Sequence, residues 1–196
     1  MTSGRTLLAC LSLLVAAAGA VPPAAAATPP SAVPAEWRSY DIIVSLQALP
    51  ATYSCDDLWY KFRDVLLTLG ARAYMTITPY RCGSTGAGQG RSPSVHVQFQ
   101  LPQALHGDAT RYEQMSAINR TVRLTAGTPH SLKAGDCEFV RQLKSALFEA
   151  LPLQVTTADF TCKADGGSFV LAAEATVEQP EQAATTGSTP ISRPHP

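Results

Sequence analysis

Ser54–Gly70 reads S-C-D-D-L-W-Y-K-F-R-D-V-L-L-T-L-G, and Gly135–Pro152 reads G-D-C-E-F-V-R-Q-L-K-S-A-L-F-E-A-L-P. Each describes an amphipathic helix that opens on a capping residue followed at once by a cysteine. In the first, Ser54 is a good N-cap, and Asp57 three residues on makes a capping box with Asp in place of Glu. Asp56 and Asp57 suit the positive end of the helix dipole. Leu58, Phe62, Val65, Leu66 and Leu69 recur on one helical face, and Gly70 is placed to end it. In the second, Asp136 is the N-cap, Val140, Leu143, Leu147 and Leu151 form the apolar face, and Pro152 stops the helix.

A thiol at a helix N-terminus raises a question, because the dipole there favours a reactive thiolate. Two observations answer it. First, the chain begins with Arg5, an apolar run from Leu7 to about Ala18, and small residues ending in Ala20 or Ala27. That is the layout of a secretory signal over residues 1–27, and its apolar run is shorter than the roughly 20 residues a membrane span needs. An alternative is a lipobox at Leu7–Cys10 with lipid on Cys10, but the apolar run continues past that cysteine. Either way the chain is expected to be exported, periplasmic or extracellular, with no transmembrane span in its mature part. Removing the signal leaves four cysteines in an oxidising compartment, Cys55, Cys82, Cys137 and Cys162, and four cysteines allow three pairings. Second, none of His96, His106, His130 or His195 shares a spacing with a cysteine, so no base for a thiol nucleophile is in view.

The surroundings of the two helices match. Before the first comes the alternating strand Tyr40–Leu46; before the second, Thr121–Ala126. After them come Arg72–Cys82 and Leu153–Cys162, each strand-like and each ending in cysteine. A turn then leads to Ser94–Leu101 in one half and Ser168–Val177 in the other. Each half therefore reads strand, helix, strand, strand, with its cysteines 27 and 25 residues apart. The expected fold is an α+β two-layer sandwich: mostly antiparallel sheet, two helices on one face, two βαββ repeats related by a pseudo-twofold, and two disulfides. A strand–helix–strand crossover returns the second strand parallel to the first, so its last residue arrives beside the start of the helix. That geometry pairs Cys55 with Cys82 and Cys137 with Cys162, each bridge worth roughly 3 kcal/mol in the chain-entropy model.

Domain limits follow from composition. Residues 28–36 read as a Pro/Ala-rich linker, 37–177 as one α+β domain with half-repeats about 38–102 and 120–177, and 178–196 as a disordered polar tail. The connector 103–119 carries Ala109, Tyr112 and Met115, which suggest a short helix. The glycine-rich stretch Gly83–Ser92 lies between two strands and not before a helix, which makes it a hairpin loop and not a phosphate cradle. Asn119–Thr121 is a glycosylation sequon.

Lys+Arg and Asp+Glu are balanced at 15 each, without a basic run. This speaks against nucleic acid or a polybasic membrane patch. No cofactor motif or metal spacing is present, so neither is expected. Alternation in the strands leaves one polar sheet face, carrying Tyr74, Tyr80, His96, Gln98, Gln100, Arg123 and Glu174. That face is the candidate binding surface, with the tyrosines as amphipathic anchors. The expectation is a non-enzymatic exported module that binds a protein or envelope component through this face or an edge strand. The alternatives are a hydrolase-like enzyme with a site assembled from His96, Arg123, Asp159 and Glu174, or a structural subunit of an envelope assembly.

Overall fold

The computed structural model describes residues 31–47, 49, 53–82, 92–105, 114–163 and 166–179. The expected signal segment with Cys10, residues 83–91 of the glycine-rich stretch, and the tail beyond Gln179 lie outside the described residues. The chain forms β1 (Val33–Ser45), α1 (Cys55–Thr68), β2 (Thr76–Tyr80), β3 (Ser94–Ala104), β4 (Gln114–Thr125), α2 (Cys137–Ala146), β5 (Gln154–Lys163) and β6 (Gly166–Glu178).

All six strands belong to one antiparallel sheet in the order β2-β3-β1-β4-β6-β5. β1 and β2 each run antiparallel to β3, so they run parallel to one another with β3 between them. In the second half, β6 lies between β4 and β5 in the same way. The crossover through each helix therefore skips one strand. Its return still brings the end of the second strand to the start of the helix, and the disulfides are Cys55–Cys82 and Cys137–Cys162.

One face of the sheet and both helices share a single hydrophobic core. Val95, Val97, Phe99 and Leu101 of β3, Val122 and Leu124 of β4, and Phe169 and Leu171 of β6 are buried in it. Phe62 of α1 meets Phe139 of α2 edge to face, with centroids 5.7 Å apart. The alternation read from the sequence thus assigns these strands to the correct faces.

Several boundaries differ from the sequence reading; the stretch Arg72–Cys82 is strand only over Thr76–Tyr80, which leaves Tyr74 before β2. β1 begins at Val33, so residues 33–36 of the stretch read as linker are strand. Pro34 and Ala35 hide the strand signal there, but Ala35 pairs with Ala104 on one side and Met115 on the other. β4 begins at Gln114, so Met115 lies in a strand and not in a short helix; Ala109 and Tyr112 fall outside the described residues. α2 ends at Ala146, and a 3₁₀ turn at Phe148–Ala150 carries the chain to Leu151. Leu151 is extended (φ −107°, ψ 155°), as the residue before a proline must tend to be, and it remains buried.

α1 keeps both of its expected ends. Ser54 Oγ accepts from the Asp57 amide at 3.0 Å and Asp57 Oδ2 accepts from the Ser54 amide at 3.3 Å. At the other end Gly70 donates to Leu67 O and Ala71 to Leu66 O, the pair of bonds that defines a Schellman close. Gly70 stands at φ +91°, and a Cβ there would lie 2.8 Å from Val177 Cγ1. Gly70→Ala is therefore expected to lose about 1–2 kcal/mol in urea unfolding, from left-handed strain plus displacement of Val177. An unchanged midpoint would show that the helix end relaxes freely.

Candidate functional site

Register decides what the polar face looks like. Residues directly opposite on antiparallel strands share a face. On the first half the outward rows run across β1, β3 and β2: Ser45, Ser94 and Tyr80; Ile43, His96 and Thr78; Asp41, Gln98 and Thr76. Ser39 and Gln100 form the next pair, followed by Trp37 and Pro102. Tyr74, 88% exposed, flanks this end and lines an open depression of about 650 Å³ together with Ser39, Asp41, Thr76, Gln98 and Gln100.

The polar groups of these rows are joined across the strands. Asp41 Oδ1 accepts from His96 Nε2 at 2.5 Å, and Asp41 Oδ2 accepts from Gln98 Nε2 at 2.8 Å. Gln100 Nε2 donates to Ser39 Oγ at 3.2 Å, while Gln100 Oε1 accepts from Arg72 at 3.3 Å. The Arg72 guanidinium also lies over the Trp37 ring, 4.3 Å from its centroid.

Hydrogen bonds from Gln98 and then His96 hold the Asp41 carboxyl below the ordinary carboxylate range. A depressed folded value means that its contribution to stability is present above the unfolded value and lost as pH falls through the folded one. NMR titration of the Asp41 carboxyl is expected to show a midpoint below that of a free aspartate. Gln98→Leu should move it upward; an unmoved midpoint would mean that this bond is not formed in solution.

Arg123 and Glu174 also face outward, but elsewhere. Arg123 opposes Ala172, which opposes Thr157; Glu174 opposes Thr121 and Gln154; Asp159 opposes Val170. Thr121 Oγ1 donates to Glu174 Oε1 at 2.5 Å. β1 and β4 pair over only four positions, from Val33↔Ala117 to Glu36↔Gln114. His96 stands beside Ile43, eight residues along β1 from Ala35, whereas Arg123 is eight residues along β4 from Met115 in the opposite direction. At about 3.3 Å per residue, each arm is roughly 26 Å long. Between the arms the outward positions Ala35, Trp37 and Ala117 are buried. The structure thus brings Tyr74, Tyr80, His96, Gln98 and Gln100 together. It places Arg123, Asp159 and Glu174 on the other arm, in three different rows of β4, β5 and β6, and it does not join the two groups.

Among the outward residues of the first arm that escaped the sequence reading are Asp41 and Ile43. Their signal was present: Tyr40, Ile42 and Val44 face the core, so Asp41, Ile43 and Ser45 must face out, and Ile43 is an apolar residue at a polar position. It is 67% exposed.

A second cluster lies in the interior. Lys61 Nζ is 2.6 Å from Asp136 Oδ2, with both side chains under a tenth exposed. Tyr53 OH donates to Asp136 Oδ1 at 2.8 Å, the Lys133 amide donates to Oδ2 at 2.7 Å, and Lys61 Nζ also donates to Ser131 O at 2.7 Å. Asp136 stands before α2 as expected, but its side chain makes no cap bond to that helix and turns inward instead. Burial first, then the bond to Asp136, pushes the Tyr53 phenol well above its ordinary value. Lys61 could have been noticed as a charged residue three positions after Leu58 on the apolar stripe. The cluster is sealed between the helices, so it reads as structural in spite of its perturbed tyrosine.

Among the described residues no group of three or more His, Cys, Asp or Glu could hold a metal ion, and no helix is long and apolar enough to cross a membrane. The chain matches no protein family, no curated protein and no solved structure.

Proposed function

We propose that this protein is an exported, non-enzymatic binding module that engages an envelope or extracellular component through the outward face of β2, β3 and β1. The observation that carries this reading is the set of three large exposed side chains, Ile43, Tyr74 and Tyr80, standing around the Asp41–His96–Gln98 network. Amphipathic side chains on a braced, flat scaffold are what a recognition surface needs, because little ordering cost remains at binding. Among the described residues, the arm with Arg123 and Glu174 carries none of the exposed large hydrophobic residues. The face is favoured over the edges: β2 has Pro79, which lacks a backbone donor, and β5 has a bulge between Val155 and Thr157. Export is supported by the signal-like first 27 residues and by the two disulfides.

We also infer that the two halves descend from one βαββ unit. Support comes from the matching strand order in each half and from cysteine pairs of nearly equal separation, 27 and 25, at matching places.

Photocrosslinking tests the binding reading. A photoreactive residue at position 43 should give specific adducts with envelope material, lost in Tyr74→Ala, while one at position 123 should give none. Equal labelling from both arms would sink it.

A further inference from the structure

Resting on that reading, the chemistry of the face narrows its ligand. We propose that the β2–β3–β1 face binds a neutral, hydroxyl-rich polysaccharide, laid along β2 between Tyr74 and Tyr80.

Three observations lead there. The first is charge. The outward rows hold one carboxylate, Asp41, and it is already bonded to His96 and Gln98. Arg72 is engaged by Trp37 and Gln100, and Arg81 follows Tyr80 just past the end of β2. The outward rows themselves hold no lysine or arginine, and a phosphate- or sulfate-bearing polymer calls for clustered positive charge. The second is the hydrogen-bonding inventory. Thr76 and Thr78 place hydroxyls on the outward rows, and Gln98 uses its amide nitrogen on Asp41 while its carbonyl oxygen has no partner among the described residues. Hydroxyls both donate and accept, amide oxygens accept, and a carboxylate oxygen has a second lone pair. A ligand built of hydroxyl groups, each of which also donates and accepts, satisfies this mixture.

The third is the spacing of the apolar side chains. Tyr74, at 88% exposure, lies two residues before β2, and Tyr80, at 46%, is its last residue, so the two bracket the strand. Between them stand the rows of Thr76 and Thr78, the second of which also carries the exposed Ile43. A protein partner wants a contiguous, desolvated apolar centre with a polar rim. Here the exposed apolar side chains stand apart, with hydroxyl and amide groups interspersed among them. A sugar ring offers an apolar C–H face for stacking and equatorial hydroxyls at its rim, so a short run of rings meets an aromatic at each end and polar groups between.

The test uses the signal-free chain with both disulfides intact. Affinity electrophoresis is run through gels containing a β-1,4-glucan, chitin oligomers, an α-1,4-glucan, an arabinogalactan and, as an anionic comparison, heparin. At least one neutral polymer should retard the protein. Tyr74→Ala should weaken retardation at least tenfold, as should Gln98→Leu to a smaller degree, while Arg123→Ala should not change it. Retardation by heparin alone, by none of the polymers, or equally in Tyr74→Ala overturns the proposal. If no glycan is retained but position 43 still crosslinks a protein, the ligand class is wrong and the binding-module reading survives. If neither occurs, both fall.

Discussion

Asp136→Ala is expected to lower unfolding stability by about 3–5 kcal/mol and the melting temperature by roughly 10–20 °C. The substitution strands the Lys61 ammonium between the two helices, leaving it the Ser131 carbonyl and the Tyr53 ring 5.7 Å away. It also removes the acceptor for the Tyr53 hydroxyl and the Lys133 amide. An uncompensated buried charge costs far more than the net worth of the pair, so removing both charges should do less harm than removing one. Lys61→Met combined with Asp136→Ala is therefore expected to melt above Asp136→Ala alone, though below the parent, because Tyr53 still lacks its partner; Lys61→Met alone completes the cycle. Thermal unfolding followed by circular dichroism gives all four corners of the cycle. A loss under about 1 kcal/mol for Asp136→Ala, or additive single effects, would mean that the cluster is solvated and not sealed.

The second large effect concerns the disulfides. Closing loops of 27 and 25 residues is worth about 3.5 kcal/mol each in the chain-entropy model. Replacing either pair by alanine should cost about that much, and replacing both should remove most of the stability of a domain this size. Reduction should be ordered. Cys55 is exposed at the start of α1, whereas Cys137 is 1% exposed beneath α2 and β6. Mild reductant is thus expected to open Cys55–Cys82 first, leaving a species with two alkylatable thiols by mass spectrometry. Urea midpoints that coincide with and without reductant would contradict the whole account.

What could be read in advance had a physical basis. Both helices, both disulfides and the facing of the strands were legible because each rests on local periodicity or on chain geometry. Val95, Val97 and Phe99 alternate with His96 and Gln98, and no tertiary information was needed to place them on opposite faces. The strand start at Val33 was not legible, since V-P-A-E-W has no alternation and is held by partners seventy and eighty residues away. The division of the outward face into two arms was equally hidden. It depends on the offset of β1 against β4, and register between distant strands leaves no trace in either strand alone. Asp136 misled for a related reason. A residue at a cap position is read as a cap, and only packing revealed that Lys61 and Tyr53 claim its carboxylate.

The order of the cysteines has a consequence for how the molecule is made. Beyond the signal-like segment, each bridge joins neighbours in the sequence, Cys55 to Cys82 and Cys137 to Cys162. A chain that enters an oxidising compartment N-terminus first presents Cys55 and Cys82 before Cys137 has arrived. The correct partner is then the only partner available, and the same holds again for the second pair. With export as proposed, maturation calls for an oxidant but not for a catalyst that reshuffles wrong bridges, whereas refolding the reduced signal-free chain sets all three pairings in competition.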